Sequence, residues 1–426
     1  PNITNNFITF SSLNISMPKI DFKYKANYYL IILIAFTLPL AKSLVPLLLG
    51  ILFVSSLINN NFKEKKSSKK ILLISSIYLL YLIGILYSQN RSAAIFSLEE
   101  KLSLLAVPLI FFISKINYLL SYHQIIKAFI EGCIVSLLLS LINSGVMYFY
   151  TLDSSAFFYQ NLALYHHGSY LSMYLNFSVG CIYFFSFHPT KHFYLKPILG
   201  FSLIVFFSIF IALLSSKTGI ISLLLIHTFS LFYWISRHKA YLKGAVAIVL
   251  IGAISSAFYL SSSSINARVN ELISSTSNET NTSSTKIRKE IWNSAASLYL
   301  EAPIIGHGTG DVIDELARLS KEKNLGFINK KKLNAHNQYL QTAVALGSIG
   351  LITLLAMLIL PLYFSWKDKY WIYVFFILLT MTNFLTEAML ETQSGVIFYA
   401  FFNTLFFAVL MQQKQDKSVN SIIQST

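Results

Sequence analysis

The residues of this chain best suited to chemistry stand where long apolar runs meet polar stretches. His336 closes a hydrophilic stretch in Ala335-His336-Asn337-Gln338-Tyr339-Leu340 and opens an apolar run that continues through Gly347 and Gly350. That position reads as a helix N-terminus, where the dipole favours a neutral imidazole able to accept a proton. A histidine that only caps a helix at a membrane interface would occupy the same place. Arg288 and Trp292 lie one helical turn apart on one face. A guanidinium forks onto phosphate oxygens, and an indole offers an apolar surface to a sugar or a lipid. The alternative is an ordinary basic residue on an exposed helix. Lys217, in Ser215-Ser216-Lys217-Thr218-Gly219, is a lone cation between two apolar runs. His166 and His167, followed by Tyr170 and Ser172, mark another such junction. They read as the lining of an acceptor groove or as members of an interfacial aromatic belt. Glu387 and Glu391 fall near the end of a late apolar run, as direct participants or as counter-charges to Lys217 or Arg288.

The scaffold these residues require is set by composition. The chain has 426 residues, 55% hydrophobic and 12% charged, with a mean hydropathy of +0.60. A soluble domain carries roughly twice that charge fraction, and its surface would leave many of these apolar residues in water. Apolar runs of roughly 17 to 25 residues, enough to cross about 30 Å of hydrocarbon, predict about twelve spans. They fall near 27–42, 44–59, 71–88, 100–114, 126–150, 169–187, 197–214, 218–236, 243–261, 337–364, 370–388 and 394–412. The fourth is short and is expected to be tilted or partly interfacial. The first lacks a small-residue cleavage site and reads as a retained helix.

Charge placement orients the bundle. With the N-terminus inside, the inner segments carry Lys63, Lys65, Lys66, Lys69, Lys70, Lys115, Lys191, Lys196, Arg237, Lys239, Lys243, Lys367, Lys369, Lys414 and Lys417. The outer loops hold only Lys42, Arg91, Lys101 and Lys217 before the long hydrophilic stretch. This is the positive-inside bias, and it puts both termini in the cytoplasm. The net charge of +15 therefore resides in short loops, which argues against nucleic acid as a partner. Cys133 and Cys181 fall inside spans, so no disulfide framework is expected.

The expected organisation is all-α and polytopic: a transmembrane bundle over 1–261, a hydrophilic loop over 262–335, and transmembrane helices over 336–426. The loop opens with a Ser-, Thr- and Asn-rich part that is low in bulky apolar residues. From Lys286 to Leu300, the spacing of Ile287, Ile291, Ala295 and Leu298 predicts a helix stopped by Pro303. A second amphipathic helix is expected over Asp311 to Lys323, with Val312, Ile313, Leu316 and Leu319 on its apolar side. Between them, Gly306-His307-Gly308-Thr309-Gly310 is a turn in a helical setting and not a nucleotide loop. No Cys/His metal spacing and no Walker motif occur, so neither a metal nor a cofactor is expected.

The combination resembles a known family. His336-Asn337-Gln338-Tyr339-Leu340, with Gly347-Ser348-Ile349-Gly350-Leu351 behind it, is similar to the signature of the O-antigen ligase and polymerase superfamily, the lipid-linked glycan ligases. Arg288-Lys289-Glu290-Ile291-Trp292, followed by Ala302-Pro303-Ile304-Ile305-Gly306-His307-Gly308, resembles that family's Arg-x-x-x-Trp…Pro…Gly-x-Gly pattern. Ser216-Lys217-Thr218-Gly219 is similar to its basic outer turn, and Glu99-Glu100-Lys101-Leu102-Ser103-Leu104-Leu105 to a recurrent segment. Many members carry Arg at the position of Lys217, and many an acidic residue at that of Ala345.

The resemblance implies a metal-independent, inverting glycosyltransferase of the GT-C-like class in the bacterial inner membrane, working at the periplasmic face. Its donor would be a glycan on undecaprenyl diphosphate. Its acceptor would be a sugar hydroxyl, on lipid A-core for the ligases, with membrane lipids as surroundings. His336 would be the general base, and Arg288 and Lys217 would hold the departing diphosphate. Trp292, Tyr339, His166, His167 and Glu387 would line the substrates. Ligase, polymerase and protein O-oligosaccharyltransferase share the signature; the moderate loop and the outer basic residues favour the ligase. A transporter or flippase of lipid-linked glycans is the rival class, and it would keep its ionisable residues near mid-membrane in broken spans.

Overall fold

Backbone polar groups that water cannot reach must be satisfied within the chain, which in lipid leaves the helix as the simplest solution for an apolar run. The computed structural model describes residues 22–58, 69–114, 116–188, 195–239, 284–323 and 333–425, and every regular element among them is helical. In chain order the helices are α1 (Phe22–Thr37), α2 (Leu44–Ile58), α3 (Lys69–Gly84), α4 (Arg91–Lys101), α5 (Ser103–Ile113), α6 (Tyr118–Thr151), α7 (Tyr159–Leu162) and α8 (Gly168–Phe187). They continue with α9 (Pro197–Leu214), α10 (Lys217–His238), α11 (Ser284–Glu301), α12 (Val312–Glu322), α13 (Gln338–Lys367), α14 (Trp371–Phe384) and α15 (Gln393–Ser425). Six are long and apolar enough to cross a membrane: α6, α8, α9, the Lys217–Ser236 part of α10, α13, and the Gln393–Gln415 part of α15. Apolar but shorter helices lie at Lys25–Thr37, Leu44–Ile58, Leu73–Tyr87 and Trp371–Phe384. The chain is a polytopic helical membrane protein. The expected span at 243–261 and the start of the hydrophilic stretch lie outside the described residues.

The interior is aromatic. Phe129 of α6, Phe177 of α8, Phe376 of α14 and Phe402 of α15 are fully buried together, with Phe177 and Phe402 at 4.5 Å and Phe129 and Phe402 at 4.9 Å between ring centres. Lipid provides no hydrophobic drive between helices, so such close packing carries the association. Each aromatic pair adds about 0.5–1.5 kcal/mol beyond its buried area. The outward sides of α9 and α10, with Ile198, Phe201, Leu224, Phe229 and Phe232, are apolar and exposed, as a lipid-facing surface is.

Three sequence expectations are corrected. The span expected at 100–114 is interrupted at Leu102, where α4 ends and α5 begins. Just before the interruption, Lys101 is fully buried and turned into the protein, where it pairs with Glu391 at 2.8 Å. The helix of 312–322 buries Val312, Leu316 and Leu319, but Ile313 is 38% exposed and lies off the apolar side. The third correction matters most. The apolar run through Gly347 is not one continuous helix, because Gly347 adopts φ 62° and ψ −157°.

The break is filled by the stretch after α11. His307 N–H donates to Val344 O (2.9 Å) and Gly308 N–H to Ala345 O (3.0 Å). In return, Ser348 N–H donates to Pro303 O (2.8 Å) and Ile349 N–H to Ile304 O (3.3 Å). The hydrogen bonds that Val344 and Ala345 would make to Ser348 and Ile349 in an unbroken helix are thus exchanged for bonds to a second segment. These four groups all find partners, as a helix break in an apolar setting requires. Gly306 and Gly347 both have positive φ, and a Cβ on either would collide with the other segment's backbone. The glycine pattern of this region is therefore a backbone splice. Beyond it, Thr309 Oγ1 donates to Tyr81 O (2.6 Å), and Asp311 accepts from Gln89 N (2.9 Å) and Asn90 N (2.7 Å) at the start of α4.

Candidate active site

His336 precedes α13 in a left-handed backbone conformation, φ 44°. Such a conformation costs a non-glycine residue on the order of 1–3 kcal/mol, so its surroundings must impose it. They do. Asn334 Oδ1 accepts from His336 N (3.0 Å), which closes a tight turn. Asn337 then caps α13 by accepting from Leu340 N (3.1 Å), while its amide donates to Leu385 O (3.0 Å). Gln338, fully buried, accepts from Leu390 N (2.7 Å) and donates to Thr342 Oγ1 (3.1 Å). The two residues after His336 thereby brace both ends of the connection from Leu385 to Leu390, the connection that carries Glu387.

Glu387 is the meeting point. Arg288 Nη2, from α11, donates to its Oε1 at 3.0 Å, and Ser169 Oγ, from the first turn of α8, donates to the same oxygen at 3.1 Å. His336 Nδ1 stands 3.5 Å from Oε2, at the outer limit of a hydrogen bond. The carboxylate is 12% exposed, while Arg288 and His336 keep 28% and 29%. Burial alone would raise the Glu387 carboxyl, but the His336 hydrogen bond, the Arg288 charge and Ser169 outweigh it and leave it below the usual carboxylate range. Glu387 is therefore ionised at neutral pH. In the tautomer that donates from Nδ1 to this carboxylate, the imidazole has a lone pair on Nε2 that can accept a proton. The ion pair engages one nitrogen of Arg288, which leaves the other donors of the guanidinium for an anion.

The remaining candidates divide. Lys217 opens α10 behind Ser216, whose Oγ accepts from Gly219 N (3.2 Å), and the next residue, Thr218, hydrogen-bonds Thr386 beside Glu387. His167 caps α8, accepting from Ser169 N at 3.4 Å, so it adjoins the serine that holds Glu387. Trp292 lies one turn after Arg288, and its buried indole N–H has no partner among the described residues. Tyr339 donates to Met381 O (3.2 Å) and packs against Phe384. His166 has a different setting: it is buried, with Nδ1 2.9 Å from Ser394 Oγ and Nε2 3.1 Å from Leu38 O. Both nitrogens are committed to tying α1, α8 and α15 together. Burial, with the nearby Lys42 charge, lowers its pKa to about 4 against the opposing hydrogen bonds to backbone carbonyls. Glu391 pairs with Lys101, a partner the sequence reading did not assign to it. Ser169, Asn337 and Gln338 went unrecognised as site residues. The amides had a signal in their place beside His336, whereas Ser169 had none. Among the described residues, no group of three His, Cys, Asp or Glu side chains could hold a metal ion.

Comparison with known proteins adds a family to this geometry. Residues 201–355 match the family model Wzy_C, described as O-antigen ligase. The match includes Lys217, Arg288, Trp292, His336 and Tyr339 and ends before Glu387. An uncharacterized protein of Haemophilus influenzae is 27% identical over 193 residues, which are 43% of this chain and 48% of that protein. The chain thus spans about half the length of that relative.

Proposed function

We propose that this chain, whose residues 201–355 match the O-antigen ligase family model, moves a glycan from a lipid diphosphate to a sugar hydroxyl. The donor is a glycan on undecaprenyl diphosphate, and the acceptor a sugar of lipid A-core, at the periplasmic face of the bacterial inner membrane. The fold is GT-C-like, with about twelve spans.

The observation that carries this reading is the convergence of Arg288 and His336, from distant parts of the chain, on the Glu387 carboxylate. His336 Nε2 takes the proton of the acceptor hydroxyl as its oxygen attacks the anomeric carbon. The bond from that carbon to the phosphate oxygen breaks, and configuration inverts. The diphosphate is a good leaving group, so what it needs is countercharge, which Arg288 and Lys217 supply. Glu387 holds the imidazole by its Nδ1 edge and balances the imidazolium once the proton has moved.

The test is reconstitution of the full chain in vesicles with a lipid-linked glycan, offered lipid A-core and a second lipid-linked glycan as rival acceptors. His336→Ala and Arg288→Ala should each lower transfer by about 10²–10⁴-fold while the protein still accumulates in the membrane. Lys217→Arg should retain transfer and Lys217→Glu lose it. Near-normal transfer by His336→Ala would remove the base assignment. Preference for the lipid-linked acceptor would make the enzyme a polymerase.

A further inference from the structure

The lengths of α13 and α14 conflict with the contacts between their ends. α13 has 30 residues and α14 has 14, so straight helices would rise about 45 Å and 21 Å. Yet they are joined at one end by a short turn, with Tyr370 N–H donating to Ser365 O at 2.8 Å. At the other end, Asn337 is bonded to Leu385 O at 3.0 Å. Both ties hold only if α13 doubles back at Gly347.

The neighbours of its first part give the direction. Tyr81 meets Thr342 at 3.2 Å, and Gly84, further along α3, faces Leu346. The half from Gln338 to Leu346 therefore runs parallel to α3, while the half from Ser348 to Lys367 runs back the other way. That second half rises about 30 Å, the thickness of the hydrocarbon, and the level of Leu385 lies about 10 Å short of its summit.

The summit is apolar on its outside. Leu300, Ile304, Ile305 and Leu86 are 73%, 67%, 51% and 77% exposed, and they adjoin Ile349 and Ile352, where the outward side of α13 begins. Tyr87 joins these groups by donating to Ile305 O (2.6 Å). Beside the cluster itself, Leu385 is apolar and 52% exposed.

We propose that the summit at Gly347 is a lipid-contacting surface, so that Arg288, Glu387 and His336 work about 10 Å beneath the edge of the hydrocarbon, held there by a re-entrant half-helix. The occupant of the Leu86, Leu300, Ile304 and Ile305 surface is the acyl chains of surrounding lipid, because Ile304 is bonded to Ile349 and so joins this surface to the exposed apolar Ile349, Ile352, Ile359 and Leu360 of α13. At that depth the Glu387 carboxylate is 12% exposed and is met by Arg288 and His336, as charge in a membrane must be paired. Taken with the transfer reading, on which this one consequence rests, the site suits a phosphate carried on a membrane-embedded chain, drawn below the headgroups.

The test is depth-dependent fluorescence quenching of the full chain in phosphatidylcholine vesicles. Cys133 and Cys181 are fully buried, so a single added cysteine carries the fluorophore. Labels at Ile305→Cys and Leu385→Cys should both be quenched by nitroxides on shallow acyl carbons. At Leu385 the shallow acyl nitroxide should exceed a headgroup nitroxide by at least about twofold. Leu86→Cys and Ile352→Cys repeat the two readings if a first variant fails to insert. Quenching of either site by aqueous iodide alone would overturn the proposal and point to water or a protein partner. The measurement needs no substrate, so its failure is separable from failure of the transfer assay.

Discussion

Two carboxylates on one short segment, Glu387 and Glu391, meet different fates, and the contrast separates the candidate active site from a strut. Glu387 is shared by Arg288, His336 and Ser169, and two of those partners keep about a quarter of their surface exposed. Glu391 has one cationic partner, Lys101, which is fully buried, donates also to Ser97 Oγ (2.7 Å) and lies over the Tyr81 ring. The first arrangement leaves donors and a lone pair to spare. The second encloses its charge within α3, α4 and the segment before α15. Opposite charges beside apolar helices thus do not announce chemistry; what differs is access, which Arg288 and His336 keep and the fully buried Lys101 lacks.

This contrast can be broken by substitution. The largest effect is expected from Lys101→Met, which leaves the largely enclosed Glu391 without its cation and should cost on the order of 3 kcal/mol of stability. The double variant Lys101→Met/Glu391→Leu should recover most of that loss, since an apolar pair of similar volume replaces an enclosed ion pair at little cost. Thermal unfolding in detergent measures both, and a double variant no better than the single would reject the strut role. Next, Glu387→Gln should lower transfer by about 10²-fold, near 2.7 kcal/mol of barrier, with little change in melting temperature. A variant that melts early but, once folded, turns over normally would make Glu387 a strut as well.

The smallest effect concerns His166, which belongs with the struts. Its folded pKa, about 4, lies below the ordinary histidine value of 6.5. The unfolded chain therefore takes up the proton first as pH falls. The stability it contributes is complete above pH 6.5 and is lost progressively down to about pH 4. At pH 5.5 the loss should be about 1 kcal/mol. His166→Gln, which keeps a donor and an acceptor but does not titrate, should flatten the melting temperature across that window. An unchanged slope would assign the acid sensitivity elsewhere.

Much of this was legible in the sequence because it is local. The spacing of Ile291, Ala295 and Leu298, all fully buried, produced α11, and Pro303 ended it after Glu301. Arg288 and His336 stood out because charged or titratable groups beside apolar runs are few. What could not be read depends on contacts between distant segments. Nothing in a single chain of letters pairs Glu387 with Arg288 and Glu391 with Lys101 and not the reverse. Gly347 looked like one more small residue in an apolar run, since its conformation is set by Pro303 to Gly308 lying in the break. His166 and His167 are adjacent in sequence, yet one is enclosed and the other caps a helix beside the site.

The exchanged hydrogen bonds at Gly347 also make α11 and α13 mechanically one piece. Any rotation of the helix bearing Arg288 must drag Pro303 and Ile304, and through them the coil that bears His336, like two throws on a single crankshaft. That coupling resists any change in the gap between guanidinium and imidazole.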